Sequence, residues 1–236
     1  EKIEKLCEKC FPKLRSSKIK FVRIACHLNE IGKISPIVNW LKKRGILITI
    51  NLMQISEINN QELKKILKSL SSKKIDVFYV ADSLGSMKPK QIREKFKMIK
   101  KNWSGEFGIH AHNNLNHAMK NTVLASLEGA NWLDCTVLGM GRGPGNTKTE
   151  ELYKFFNSTD KNGLKSIKRL LLKYFSNLKK EYKWGTNKYY KFAAKYKIHP
   201  TYIQEILSDR RYTSNLYKNI LTNLKETDSR KYNPFK

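Results

Sequence analysis

The stretch Ile75–His112, IDVFYVADSLGSMKPKQIREKFKMIKKNWSGEFGIHAH, holds one complete repeat of the pattern that decides the fold. An apolar run, Ile75 to Ala81, is followed by an amphipathic lysine-rich segment, Pro89 to Lys100, and then by a second apolar run, Phe107 to His112. The short apolar runs read as buried strands, and the segment of helical period reads as the crossover between them. Working outward, the alternation recurs at intervals of roughly 28 residues. Further strands are expected over Ile19–Cys26 (IKFVRIAC), Ile46–Met53 (ILITINLM) and Trp132–Leu138 (WLDCTVL), with helices over Gln61–Leu70 and Leu115–Glu128. Such an alternation pairs its strands in parallel through right-handed crossovers, and near-continuous apolar runs mark a sheet buried on both faces.

Periodicity alone fits an open doubly wound sheet as well as a barrel, and the polar residues separate the two. His27, Gln54, Asp82, His112 and the glycines after Leu138 stand at the C-terminal ends of successive strands. A barrel builds its site from many strand ends at once, whereas an open sheet gathers it at one switch point. The expected fold class is therefore α/β, a (β/α)8 TIM barrel with about five of its eight strands present, occupying residues 1–156. After Glu150 only helical patterns follow, at Leu152–Phe156, Gly163–Tyr182, Lys188–Lys195, Thr201–Ser208 and Ser214–Leu224. They read as a small helical domain over residues 157–236 beside the barrel mouth, with SRKYNPFK at 229–236 as a frayed end.

A chain of 236 residues with 40% hydrophobic side chains can bury a sizeable core. No apolar run reaches the roughly 18 residues that a bilayer span needs, and the opening EKIEKLCEKC is charged where a signal peptide is apolar. A soluble, cytoplasmic protein is expected. The chain opens in a helical pattern without an initiator Met, which reads as a piece of a longer polypeptide. The formal charge of +27 raises nucleic acid as a partner. The lysines are spread through every helix and far outnumber the arginines, which is the distribution of solvated helix faces rather than of one phosphate-binding face. Nucleic acid is accordingly not an expected partner, beyond nonspecific polyanion affinity. Cys7, Cys10, Cys26 and Cys135 are too few for a disulfide framework, and the Cys7–Cys10 pair lacks the second pair that a zinc site requires.

Three segments have the residue types of a site. In FGIHAHNN, Phe107–Asn114, two histidines stand two apart on a strand, so both imidazoles project from one face and suit a single divalent ion. Side by side inside a barrel, they would be costly unless metallated or hydrogen-bonded. In LGMGRGPGN, Leu138–Asn146, the glycines lack both the Walker ending and the dinucleotide spacing. Gly141 and Gly143 read as places where backbone approaches a ligand closely, with Asn146 offering an oxygen, though a plain tight turn is the alternative. In ADSLGSM, Ala81–Met87, Asp82 reads either as a site carboxylate or as a helix cap, with Ser83 beside it.

Taken together, FVRIACH, YVADSLGSM, GIHAHNNL and LGMGRGPGN resemble, in order and spacing, the metal-dependent aldolases and lyases, the family of 4-hydroxy-2-oxovalerate aldolase, 3-hydroxy-3-methylglutaryl-CoA lyase and the 2-isopropylmalate synthases. The resemblance runs from about Phe21 to Leu152 and implies a (β/α)8 barrel. It implies His110 and His112 as ligands of Mn2+ or Mg2+, Asn146 on or beside the metal, and Asp82 in the site. His27, Ser83, Gly141, Gly143 and Asn146 are the candidate substrate-binding residues. The glycine loop lacks both the cysteine of the acyl-CoA lyases and the Glu-Arg pair of the synthases, and the likeness leans toward the 4-hydroxy-2-oxoacid aldolases. The tail, with WGTNKYYKFAAKY, is similar more loosely to that aldolase's C-terminal domain, which makes Tyr189 or Tyr190 the counterpart of a proton-transferring tyrosine.

The implied reaction is cleavage of a 4-hydroxy-2-oxoacid to pyruvate and an aldehyde. The resemblance further implies a homo-oligomer and an aldehyde-processing enzyme docked on the tail. A Claisen-type acyltransferase or a noncatalytic basic binding protein are the alternatives. The family's Arg-Asp-Gly segment on the first strand, which supplies a third metal ligand and lies just before the base, has no match here. The strands present correspond to the fourth through eighth, and the first three would occupy about 80 to 90 residues. The chain alone is therefore expected to form an open, incomplete barrel without aldolase activity.

Overall fold

The computed structural model describes residues 2–11, 18–209 and 211–234. Its elements run α1 (Lys2–Cys10), β1 (Phe21–Cys26), α2 (Ser35–Lys42), β2 (Leu47–Leu52), α3 (Asn60–Ser71), β3 (Val77–Asp82), α4 (Pro89–Asn102), β4 (Glu106–Ala111), α5 (Ala118–Leu127) and β5 (Trp132–Leu133). The five strands form one parallel sheet in sequence order, β1-β2-β3-β4-β5. This is the βα array of a TIM-type barrel, and among the described residues the sheet does not close on itself. Two of the crossover helices are started by evident local chemistry. Asn59 and Glu62 cap α3 reciprocally, and Pro89 opens α4 where its missing N–H costs nothing.

Alternation along the strands gives the sheet two different faces. Ile48, Ile50, Leu52, Phe78, Val80, Phe107 and Ile109 pack into one buried cluster with Leu41, Leu63, Leu67, Ile92, Phe96 and Ile99 of the helices. Each such side chain, fully buried, stabilises the fold by roughly 1.5–3 kcal/mol. The residues of opposite parity, among them Arg23, Thr49, Asn51, Tyr79 and His110, lie on the concave face. There the two ends of the sheet lean together, with Phe21 of β1 stacked on Trp132 of β5 at a centroid separation of 5.7 Å.

β5 is shorter than the expected Trp132–Leu138. Beyond Asp134, whose N–H still reaches Ile109, the backbone leaves β4 and pairs with the returning loop, Thr136 N–H donating to Thr147 O at 2.9 Å. Leu138 then turns with φ 52°.

The tail comprises α6 (Thr149–Phe156), α7 (Lys161–Leu170), a π-helical turn (Leu171–Phe175), α8 (Ser176–Tyr182), α9 (Lys188–Lys195), α10 (Pro200–Ser208) and α11 (Ser214–Glu226). The helix expected over Gly163–Tyr182 is thus interrupted by a π turn, where the Ser176 hydroxyl bonds the Leu171 carbonyl five residues back. A second apolar cluster, including Tyr190, Ala193, Ile203, Ile206 and Leu221, lies within the tail. The segment expected to fray does not do so over residues 229–234. Ser229 is buried and its carbonyl accepts from His199 N–H at 2.7 Å, Tyr202 Oη accepts from Asn233 N–H at 2.9 Å, and Tyr232 bonds Glu205. Three side-chain and backbone partners outweigh the entropy of a short terminus. Residues 235–236 lie outside the described ones. Among the described residues no helix is long and apolar enough to cross a membrane.

Candidate metal centre and glycine loop

Because the strands are parallel, their C-terminal ends share one rim, and the site is built there. β4 delivers His110 and His112, whose rings meet edge to face with centroids 4.9 Å apart. His112 faces Asn146 of the glycine loop through an isolated antiparallel bridge. Both side chains keep a buried polar atom without a protein partner, Nδ1 of His112 and Oδ1 of Asn146. Burial, reinforced by the charges of His110, Arg142 and His199, lowers the His112 pKa to about 3, so this imidazole is neutral at physiological pH. His110 Nδ1 lies 2.7 Å from Asp134 Oδ2. That carboxylate also accepts from Arg23 at 2.6 Å. Burial alone would raise the Asp134 pKa, but the hydrogen bonds from His110 and Arg23 and the Arg23 charge prevail and lower it.

These residues fit a divalent ion in part. Two imidazoles and an amide oxygen are suitable donors, and orphaned buried polar atoms are what a missing ligand would satisfy. Among the described residues no group of three His, Cys, Asp or Glu is gathered to complete a cage.

The glycine loop is shaped by what crowds it. A Cβ on Gly141 would stand 2.5 Å from Asn146 Nδ2, and one on Gly143, at φ +59°, would stand 2.8 Å from the Tyr190 hydroxyl. The tail clasps this loop. Trp184 Nε1 donates to Leu138 O at 3.0 Å, Gly185 N–H to Gly143 O at 2.9 Å and Thr186 Oγ1 to Asn114 O at 2.6 Å. A cleft of about 680 Å³ opens between loop and tail, lined by Arg142, Gly143, Trp184, Asn187, Tyr190 and Gln204 among others.

The two candidate tyrosines part company here. Tyr190 is buried against Gly143, and burial raises its phenol pKa while Arg142 works the other way. Tyr189 instead packs edge to face on Tyr217, 5.3 Å away, inside the tail. Asp82 is in register with Ala111, between the two histidines, so its side chain leaves the sheet on the face opposite His110. It is fully buried and its carboxylate accepts the N–H groups of Ser86 at 3.1 Å and Met87 at 3.1 Å, so it holds the turn after β3. Burial, against those hydrogen bonds, raises its pKa to about 6. Ser83 Oγ accepts from Gln54 N–H at 3.0 Å, and His27 lines a cavity of about 230 Å³ with Gln54 and Lys231.

The tail adds a histidine that no strand-end pattern marks. His199 caps α10, and burial, with the charges of Arg142 and His27, lowers its pKa to about 4. Its ring lies 6.2 Å from that of Tyr232, on the side of the tail that holds residues 229–234.

Residues 16–165 match the HMGL-like family, in which the paired histidines and the glycine loop just described fall. The chain belongs to the HMGL-like family. It is 36% identical over 148 residues to 4-hydroxy-2-oxovalerate aldolase of Geobacillus thermodenitrificans (strain NG80-2), covering 63% of this chain and 42% of the relative. It is 34% identical over 138 residues to 4-hydroxy-2-oxovalerate aldolase 2 of Rhodococcus jostii (strain RHA1), covering 58% and 40%. The chain therefore spans about two fifths of the length of these curated relatives. Among solved structures, it superimposes on the N-terminal domain of a Bacteroides vulgatus protein assigned as an aldolase, with TM-score 0.70 and 28% identity, over 83% of this chain and 65% of that one. HMG-CoA lyase of Bacillus subtilis shares the fold at TM-score 0.59 and 15% identity, over 65% and 60%.

Proposed function

We propose that this HMGL-like chain supplies the histidine half of a divalent-metal site that cleaves a 4-hydroxy-2-oxoacid to pyruvate and an aldehyde. The observation that carries the reading is the meeting of His110, His112 and Asn146 at one rim, with buried polar atoms left unpartnered on two of them. In this reading His110, His112 and Asn146 hold Mn2+ or Mg2+. When bound, such an ion supplies Lewis acidity toward the carboxylate and keto oxygens of a 2-oxoacid. The names of the aldolase relatives support the substrate class.

The remaining residues have roles that follow from their placement. Gly141 and Gly143 keep the loop bare of side chains, so that backbone can approach a small oxoacid. Tyr190, its phenol pKa raised by burial and its side chain pressed on that loop, is the group that would hold a proton at its Oη. His27 and Ser83 line the rim, and Asp82 acts through the turn it holds.

The test joins binding to turnover. One Mn2+ per chain is expected by calorimetry, and none in a His110→Ala, His112→Ala double variant. Pyruvate release from 4-hydroxy-2-oxovalerate is expected to require Mn2+ and a further carboxylate beside the two imidazoles. Equal Mn2+ content in wild type and double variant overturns the reading.

A further inference from the structure

The network behind His110 is built from residues that no strand-end pattern picks out. Asp134 lies just past β5, and its Oδ2 is approached by two donors, His110 Nδ1 at 2.7 Å and Arg23 at 2.6 Å. Arg23 comes from β1, 111 residues away in sequence, and its guanidinium also lies 3.9 Å over the centre of the Tyr79 ring of β3. One carboxylate thus joins the first, third, fourth and last strands across the concave face. An ionised carboxylate only accepts hydrogen bonds, so a neutral His110 that bonds to it must carry its proton on Nδ1. The other ring nitrogen is then left with a free electron pair. Arg23, held by its stacking on Tyr79, fixes the carboxylate from behind, and charge-assisted pairs of this length are the strong ones.

We propose that Asp134, clamped by Arg23, is the positioning residue of this site, selecting the His110 tautomer in which Nε2 is bare and able to ligate. The proposal rests on the metal reading only in its second measurement below. It also assigns the curl of the sheet a purpose, because the pair forms only when β1 and the end of β5 approach each other, as Phe21 and Trp132 do beside it.

The experiment uses the full chain, free of metal, at pH 8, where the 15N shifts of the ring also distinguish a neutral from a charged imidazole. Histidine-ring 15N NMR reads the tautomer directly, and Mn2+ titration then reads affinity. In wild type, His110 is expected to show a protonated Nδ1 and a bare Nε2. In Asp134→Leu the Nε2–H form is expected to appear, with Mn2+ affinity weakened about 10–100-fold. Arg23→Gln, which leaves Asp134 in place, is expected to keep the Nδ1–H form and to weaken Mn2+ binding less than Asp134→Leu does. A wild-type His110 with its proton on Nε2 overturns the proposal without any variant having to fold. So does an Asp134→Leu chain whose tautomer and affinity match wild type. A wild type that takes no Mn2+ counts against the metal reading alone, and the tautomer of His110 still decides the positioning role.

Discussion

Gly143→Ala probes the seat of the tail on the glycine loop. Gly143 sits at φ +59°, where a side chain costs about 1–2 kcal/mol. The added methyl would stand 2.8–2.9 Å from the Tyr190 hydroxyl and ring, an overpacking that costs about 1–3 kcal/mol. Restricting the unfolded chain offsets about 0.4–1 kcal/mol. The expected loss is therefore about 1–5 kcal/mol, in two parts of different origin. A double-mutant cycle separates them. In a Tyr190→Ala background the steric part vanishes and the backbone part remains, so urea denaturation of the four proteins should give a coupling of about 1–3 kcal/mol. Costs that simply add, within about 0.5 kcal/mol, would refute the contact between Tyr190 and the loop.

Other expectations follow from the same structure. The folded-state pKa of Asp82 is raised, so its contribution to stability is fully present below the unfolded value and is lost as pH rises through about 6. The stability of wild type relative to Asp82→Asn should accordingly be about 1 kcal/mol more favourable at pH 5 than at pH 8, and a pH-independent difference in urea titrations would contradict this. Trp184→Phe removes the donor to the Leu138 carbonyl and should cost about 1–3 kcal/mol by thermal unfolding; an unchanged melting temperature would show that water replaces the bond freely. Ser176→Ala removes the hydroxyl bound to Leu171 O and should cost about 0.5–1.5 kcal/mol, read by denaturant midpoint, with no change if the π turn stands without it.

The array of βα units is local information, and residues such as Ile75–His112 declare it because strand and helix periods differ. The histidine pair is equally local, since two residues apart on one strand fixes a shared face. The partners of those histidines are not. Arg23 and Asp134 meet only through the curl of the sheet, and the sign of them in the sequence is weak: Arg23 shares its apolar run, IKFVRIAC, with Lys20, and Asp134 stands in WLDCTVL. Asp82, placed at a strand end like the site residues, spends its carboxylate on Ser86 and Met87, an alternative that the same local pattern permits. Tyr189 and Tyr190 are adjacent in sequence, and only the packing of α9 decides which one reaches the loop. The ordered ending over residues 229–234 depends on Tyr202 and Glu205, an α10 face whose partner composition does not reveal.

Pulsed electron paramagnetic resonance of Mn2+ bound to the chain bears most directly on the metal centre, because it reports nitrogen nuclei coupled to the ion. Two imidazole couplings are expected in wild type, one after His110→Ala, and one after His112→Ala. A bound Mn2+ without nitrogen couplings, or couplings that survive both substitutions together, would contradict the assignment of His110 and His112.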